Sequence, residues 1–279
     1  MILEKNPNIY IHDKNFVYPK IDNQHIVIKK KKYDFVYDEK FQYRLTGKGI
    51  QFKRFFIHIF MYLIVFPVVR IRYALKIKGR ENIKKYFELS KGKGMISICN
   101  HTAEWDYLFT LITRHKFSEF PMWKEGAESN LGDMMRAVGG IVIPKGTFQG
   151  MALSYNALQD VVREEKWLHI FPEAACWPFY PAVRNFELGA FKLAYDFKKP
   201  ILPMGVKYRK PKGLYKLFKK EPCATLTIGE PVVCNYNLTR DEAIADMQKR
   251  TMESVMHLIG IKDADENQRI REEIYKLNQ

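Results

Sequence analysis

The chain has 279 residues, 47% of them hydrophobic and 28% charged, with 13 Pro and 16 Gly. This excludes a collagen-like, low-complexity or wholly disordered chain and leaves room for a substantial core. The formal net charge of +15 is uneven: residues 1–94 carry 21 Lys/Arg against 8 Asp/Glu, whereas residues 95–279 carry 25 against 23. A basic N-terminal third calls for a polyanionic partner, either a nucleic acid or an anionic membrane face. Four cysteines, Cys99, Cys176, Cys223 and Cys234, form no C-x-x-C pair, so neither a zinc ribbon nor a disulfide scaffold is expected and the thiols read as reduced.

Residues 1–50 mix tyrosines, isoleucines and charges and end at Gly47-Lys48-Gly49. No apolar stretch follows Met1, so no secretory signal is expected. Ile26 and Ile28 alternate as in a strand, and Lys29 to Lys32 follow as a four-lysine run. The segment reads as a basic, extended arm. Next comes the apolar run from Phe55 to Val69, bracketed by Lys53-Arg54 and by Arg70 and Arg72. Fifteen helical residues reach about 22 Å, short of the roughly 30 Å hydrocarbon layer. Basic brackets on both sides suit a monotopic anchor that lies in one leaflet among acidic headgroups; a buried core helix is the alternative. The apolar run also disfavours nucleic acid as the polyanion. Three units follow: an arm over 1–50, an anchor region over 51–80, and an α/β domain over 81–279.

From residue 95 short apolar runs alternate with amphipathic stretches. Residues 95–99, 141–143, 167–171 and 201–206 read as buried strands, with helices near 103–115, 150–165 and 187–197. Such alternation predicts a mostly parallel sheet flanked by helices, with ligands bound beyond the carboxyl ends of its strands. Thr239-x-x-Glu242 is a capping box that opens a helix stopped by Gly260.

The first of these strands runs into Asn100-His101-Thr102-Ala103-Glu104-Trp105-Asp106. A five-residue offset turns about 140° in a regular helix, so His101 and Asp106 meet only across a helix entrance. With Thr102 as the cap, the Asp106 carboxylate reaches back to one imidazole nitrogen and leaves the other free. A carboxylate so placed fixes the tautomer and stabilises the imidazolium, and an imidazole is suited to taking a proton near neutrality.

The Asn-His-x-x-x-x-Asp block resembles the signature of the glycerolipid acyltransferases related to lysophosphatidic acid acyltransferase, and further blocks follow in order. Gly139-Gly140-Ile141-Val142-Ile143-Pro144-Lys145 is similar to the second block, with Lys145 where the family has Arg. Phe171-Pro172-Glu173 is similar to the opening of the third, Phe-Pro-Glu-Gly-Thr-Arg. Residues 186–194 resemble the family's Lys-x-Gly-x-x-x-x-Ala helix, and 201–204 its fourth, Pro-containing strand. The resemblance spans roughly residues 70–235.

It implies transfer of a fatty acyl group from acyl-coenzyme A or acyl carrier protein to a lysophospholipid hydroxyl, with His101 as general base and Asp106 holding its ring. No metal and no cofactor is implied, the acyl donor being a substrate; the expected partners are the anionic cytoplasmic face of a membrane and the lysolipid acceptor. Backbone amides at the helix entrance are expected to hold the oxyanion. The resemblance also puts Lys145, Glu173, Gly139 and Pro172 on the acceptor side. After Glu173 the chain departs from the family, reading Ala174-Ala175-Cys176, so the third-block Arg is absent. Either Arg184 takes over the acceptor's anionic headgroup, or the acceptor is not lysophosphatidic acid. Cys176 as a nucleophile paired with His101 is a lesser alternative, and a non-enzymatic membrane-binding protein that keeps the fold is the rival from another class. Residues 207–220 carry seven cations and no acid, which suits a second membrane-facing loop, a contact for the acyl carrier, or a plain solvated loop.

Overall fold

The computed structural model describes residues 9–11, 16–26, 30–218 and 222–277. Residues 1–7, Ile28, Lys29, Lys219 and Lys220, all used above, lie outside the described residues. Seven strands are present among those described: β1 (Lys76–Lys78), β2 (Met95–Cys99), β3 (Phe120–Trp123), β4 (Gly140–Ile143), β5 (Trp167–Ile170), β6 (Ile201–Arg209) and β7 (Cys223–Ile228). Five form one sheet in the order β1-β7-β6-β2-β5, and β3 pairs with β4. All pairs are parallel except β6–β7. Glu119 joins the two sheets, its N–H donating to Trp167 O (2.8 Å) and its C=O accepting from His169 N–H (2.8 Å). The expected mostly parallel α/β architecture is the one observed.

The helices are α1 (Lys48–Arg72), α2 (Glu81–Leu89), α3 (Asp106–Arg114), α4 (Lys124–Ala127), α5 (Gly132–Ala137), α6 (Phe148–Arg163), α7 (Gly189–Asp196), α8 (Leu214–Phe218), α9 (Arg240–Ile259) and α10 (Ala264–Leu277). The central strand β2 is buried throughout, as expected of a strand covered on both faces. Its alternating side chains feed two cores. Ile96 and Ile98 join Val161 of α6, Phe191 of α7 and Met247 of α9, while Met95 and Cys99 join Phe109 of α3 and Phe66 of α1. The Thr239–Glu242 capping box and the left-handed Gly260 bound α9.

The anchor run is part of a longer element than its fifteen apolar residues suggest. Helix α1 has 25 residues, long and apolar enough by length and composition to cross a membrane. It widens into a π turn over Met61–Val65 just before Pro67, whose ring has no N–H to contribute to the regular ladder. Met61, Phe66 and Val69 are buried against the domain, whereas Phe52, Phe55, Phe56, Leu63, Ile64 and Val68 are each more than half exposed. One side of the helix is therefore packed on protein and the other presents bare apolar surface.

The described part of the arm is extended and runs over the α/β domain. Tyr43 accepts from Val142 N–H across the free edge of β4, covering backbone groups that an open edge would expose. Arg44 then reaches the joint between the sheets: its Nη2 donates to Glu119 Oε1 (2.9 Å) and to Glu164 Oε2 (2.8 Å). The Arg44 and Glu119 side chains are 6% and 7% exposed. Removing Arg44 leaves the buried Glu119 only the longer contacts to Arg54 (3.6 Å) and Lys166 (3.9 Å), so Arg44→Ala is expected to lower the unfolding free energy by about 3 kcal/mol, read by urea denaturation; an unchanged midpoint would show that the arm is not clamped there.

Candidate functional site

The parallel strands bring the carboxyl ends of β2, β3, β4 and β5 to one edge, and the chemistry-bearing residues follow those ends. Asn100 extends β2 sideways by a two-bond amide clamp: its Nδ2 donates to Val206 O (3.0 Å) and its Oδ1 accepts from Val206 N–H (2.8 Å). Asn100 is fully buried. The clamp fixes where β2 stops and so where the next residue, His101, departs.

Helix α3 starts at Asp106 with Trp105 as its cap, not at Thr102 as expected. Asp106, at the first helical position and without exposed surface, turns its carboxylate back on the loop. Oδ2 accepts from Thr102 N–H (2.5 Å) and Ala103 N–H (2.7 Å) and lies 3.5 Å from His101 Nδ1. The imidazole contact is thus at the outer limit of a hydrogen bond, and the two amides are the stronger partners. Since both amides are spent on Asp106, neither of these two is free to hold an oxyanion. Tyr208 of β6 completes the cradle, its hydroxyl donating to Thr102 O (3.2 Å) and lying 3.4 Å from Asp106 Oδ1.

The His101 side chain keeps 22% of its surface exposed. Its ring stacks on Phe171 at 4.1 Å between centroids, which leaves Nε2 on the side away from Asp106. Burial works to lower its pKa, but the Cys176 sulfur beside the ring and the Asp106 carboxylate outweigh it and hold the pKa above the ordinary histidine value. Behind Phe171 lies His169, fully buried and hydrogen-bonded through Nδ1 to Ser97 Oγ (2.8 Å). Burial, reinforced by the charge of His101, pushes it down to about 3 and keeps it neutral.

The remaining expected site residues fall elsewhere. Arg184 is fully buried, and its guanidinium serves the protein: Nη2 donates to Glu173 Oε2 (2.6 Å), to His101 O (3.3 Å) and to Ala175 O, and Nη1 to Asp22 O (2.6 Å). It cannot grip a headgroup from that position. Glu173 is likewise buried, and its carboxylate accepts from His101 N–H (2.9 Å) and Arg184 N–H (3.0 Å). It therefore positions the His101 backbone rather than facing an acceptor hydroxyl. Pro172 is buried in the same turn, its C=O accepting from Glu187 N–H. Gly139 lies at the opposite end of β4 from Lys145; with φ +122° and Ser118 O only 2.7 Å from where a Cβ would stand, it serves chain packing. Lys145, two residues past β4, is exposed.

Two further residues lie beside this edge. Cys176, at the third-block Arg position and weighed above as a partner of His101, has its sulfur beside the imidazole. His25, from the arm, stacks on Trp123 at the end of β3 with ring centroids 3.7 Å apart. Nothing in the local sequence around His25 signals this, because the contact joins residues about a hundred positions apart. Ala174, where the family motif has Gly, sits at φ +60°, the left-handed region for which glycine is suited.

Comparison with known proteins now bears on this geometry. Residues 74–207 match the family model described as Acyltransferase, just under half of the chain. No curated protein matches the chain in sequence. Among solved structures, the fold is similar to that of the 1-acyl-sn-glycerophosphate (LPA) acyltransferase PlsC from Thermotoga maritima, with a TM-score of 0.51 and 16% identity over 76% of this chain and 88% of that one.

The Asn100 clamp carries a prediction: Asn100→Ala leaves a buried N–H and C=O of Val206 unpaired and is expected to cost about 2–4 kcal/mol, measured by thermal and urea unfolding; a loss under half a kcal/mol would show that water replaces the amide. By family model and by fold alike, the chain resembles the glycerolipid acyltransferases.

Proposed function

We propose that this chain is an acyltransferase that moves a fatty acyl group from acyl-coenzyme A or acyl carrier protein to a hydroxyl of a lysophospholipid, 1-acylglycerol-3-phosphate or a related acceptor, at the cytoplasmic face of a membrane. The observation that carries the reading is a part-exposed His101 held beside a buried Asp106 at the carboxyl edge of a parallel sheet, within the stretch that matches the acyltransferase family.

A thioester is already activated, so one base suffices. Neutral His101 takes the acceptor's hydroxyl proton at Nε2 as the oxygen attacks the thioester carbonyl carbon. The C–S bond then breaks, and the leaving thiolate takes the proton back from the imidazolium, giving ester, free thiol and the original enzyme. Asp106 steadies the ring and the transient positive charge. Glu173 and Arg184 hold the His101 backbone so that the ring stays on Phe171. No bond to Cys176 is required.

Membrane docking follows from the same sheet edge. The end of α1 meets the end of β6 and the start of β7, since Ala224 N–H donates to Tyr73 O (2.7 Å) and Arg209 Nη2 donates to Ala74 O. Because β6 runs parallel to β2, the end of the apolar helix and the basic loop after β6 share the edge that carries His101, while the start of the helix lies by the amino ends of β3 and β4, where Arg54 donates to Ala137 O. In that loop Lys216 and Leu217 are exposed, whereas Lys207 and Arg209 are strand residues of β6. With one face packed on protein, α1 lies along the membrane rather than through it.

His101→Ala is expected to lower turnover of acyl-coenzyme A with lysophosphatidic acid by about 10²–10⁴-fold at unchanged stability; unchanged turnover of the purified variant would discard the mechanism. Since only the neutral imidazole accepts a proton and its pKa is raised, kcat/KM is expected to rise with pH through a midpoint above the free-histidine value of about 6.5. Cys176→Ala removes one cause of the raise, so the midpoint moves to lower pH while the high-pH plateau persists. Loss of the plateau would instead indicate an acyl-cysteine intermediate. Flotation with anionic vesicles tests the docking face: the protein is expected to float, and Phe55→Ser with Phe56→Ser to reduce the floating fraction severalfold. Equal recovery with and without vesicles would contradict it.

A further inference from the structure

The end of the sheet opposite His101 holds a cleft that the reaction does not use. Its volume is about 430 Å³, and it is walled by Arg54 of α1, Phe87 of α2, Arg114 at the end of α3 and Trp167 at the start of β5. Trp167 pairs with Met95, the first residue of β2. From there to His101 the chain runs six residues, or about 20 Å when extended.

Arg114 is partly buried in this wall. Its guanidinium lies 4.6 Å from the Phe87 ring centroid and 5.5 Å from that of Trp167. Aromatic faces hold a cation through its charge and use none of the guanidinium's N–H donors. Among the described residues, no oxygen accepts from the Arg114 guanidinium, and no acid offsets the burial that lowers its pKa. Lys116, also in the wall, is exposed and has no ion pair among the described residues. Ser118 lies deeper, at 1% exposure, and its hydroxyl has no hydrogen-bond partner, although buried hydroxyls ordinarily find one. The other charged groups of the wall are engaged: Glu119 with Arg44, Glu165 with Lys93 (3.1 Å), Lys166 with Glu164 (2.7 Å), and Arg54 with the carbonyls of Ala137 and Leu45. A guanidinium held by its faces, an ammonium and a buried hydroxyl thus line one cleft, and each has donors to spare.

We propose that this cleft is a second binding site, which takes the phosphate group of a phosphoester. Phosphate oxygens accept several hydrogen bonds at once, and a guanidinium can meet two of them with parallel N–H groups. The position of α1 points to a membrane phospholipid as the source. Arg54 lines the cleft, and His58, one turn further, packs edge-on against Phe117 of the same wall with ring centroids 4.8 Å apart. Phe52, Phe55 and Phe56, on the same stretch of helix, are bare. A phospholipid with its tails along that apolar side brings its phosphate to the level of Arg114. At about 20 Å from His101, a phosphate held here belongs to a resident lipid and not to the acceptor in turnover. A soluble phosphoester offers the same group without tails. The lipid source rests on the membrane-docking reading; binding of the phosphate does not.

The arginine Nε–H signals of the isotope-labelled full chain read the site, Arg114 being assigned by its absence from Arg114→Leu. Glycerol 3-phosphate, the soluble probe, is expected to shift the Arg114 signal. Lys116→Ala, at an exposed position that does not threaten the fold, is expected to weaken the affinity read from that shift by about tenfold, the loss of one charge-assisted hydrogen bond. The lipid source is tested by flotation on phosphatidylcholine vesicles with and without phosphatidic acid. Lys116→Ala is expected to lower the fraction bound to the phosphatidic acid vesicles severalfold, whereas Lys249→Ala, which removes the same charge from α9, leaves it unchanged. Equal losses in the two variants rule out the lipid as source, and a persisting Arg114 shift then assigns the cleft to a soluble phosphoester. An Arg114 signal unmoved by glycerol 3-phosphate overturns the proposal, as does full calorimetric affinity in both Lys116→Ala and a well-folded Arg114→Leu. A chain that floats while Arg114 ignores the probe keeps the docking face and refutes the cleft. A chain whose Arg114 signal shifts but that does not float keeps the cleft and refutes the docking reading.

Discussion

A single buried guanidinium joins three parts of the chain that carry the site. Arg184 binds the Glu173 carboxylate, whose other contacts fix the backbone of His101 and of Arg184 itself, and it also reaches the carbonyls of His101, Ala175 and Asp22. Burying two charges is expensive, and it is tolerated where the pair is close and nearly every remaining donor and acceptor finds a partner. Here those partners come from the loop after β2, from the turn after β5 and from the arm. The interaction thus converts a cost in desolvation into a fixed relation among segments far apart in sequence.

The position of His101 follows from this constraint and two others. The Asn100 clamp sets the point at which β2 ends, and Asp106, rooted by two backbone amides, limits where the ring lies on its Nδ1 side. The Phe171 face closes a third side. An imidazole held on three sides presents its remaining nitrogen in a narrow range of directions, which is what proton transfer in an oriented complex requires. The same crowding places the Cys176 sulfur and the Asp106 carboxylate close enough to outweigh the effect of burial on the ring.

Charge and apolar surface are distributed to match. The basic excess of the first 94 residues is divided between jobs that composition does not distinguish. Arg44 is internal and pairs with Glu119 and Glu164, and Arg54 donates to Ala137 O. Arg70 and Arg72 remain exposed at the end of α1. The apolar helix meanwhile gives one face to the core and leaves apolar side chains exposed on the other.

The order of buried strands, the helices between them, the α9 capping box and the Asn-His-x-x-x-x-Asp block were all legible in the sequence, because each rests on local periodicity or on residues within a few positions of one another. β1, with three residues, and β3, with Pro121 inside four, are too short for a periodic signal, and β7 alternates rather than running continuously apolar. Only the tertiary structure decided which cations face the site. Arg184 is drawn inward because Glu173 is buried beside it, and Glu173 is occupied because His101 and Arg184 converge on it. Gly139 is at the wrong end of its strand, and His25 reaches the edge only because the arm folds across the third-block turn. Charge in a sequence is a count, whereas burial and pairing are set by what lies across the fold, and that is why the surroundings of these residues could be read only in three dimensions.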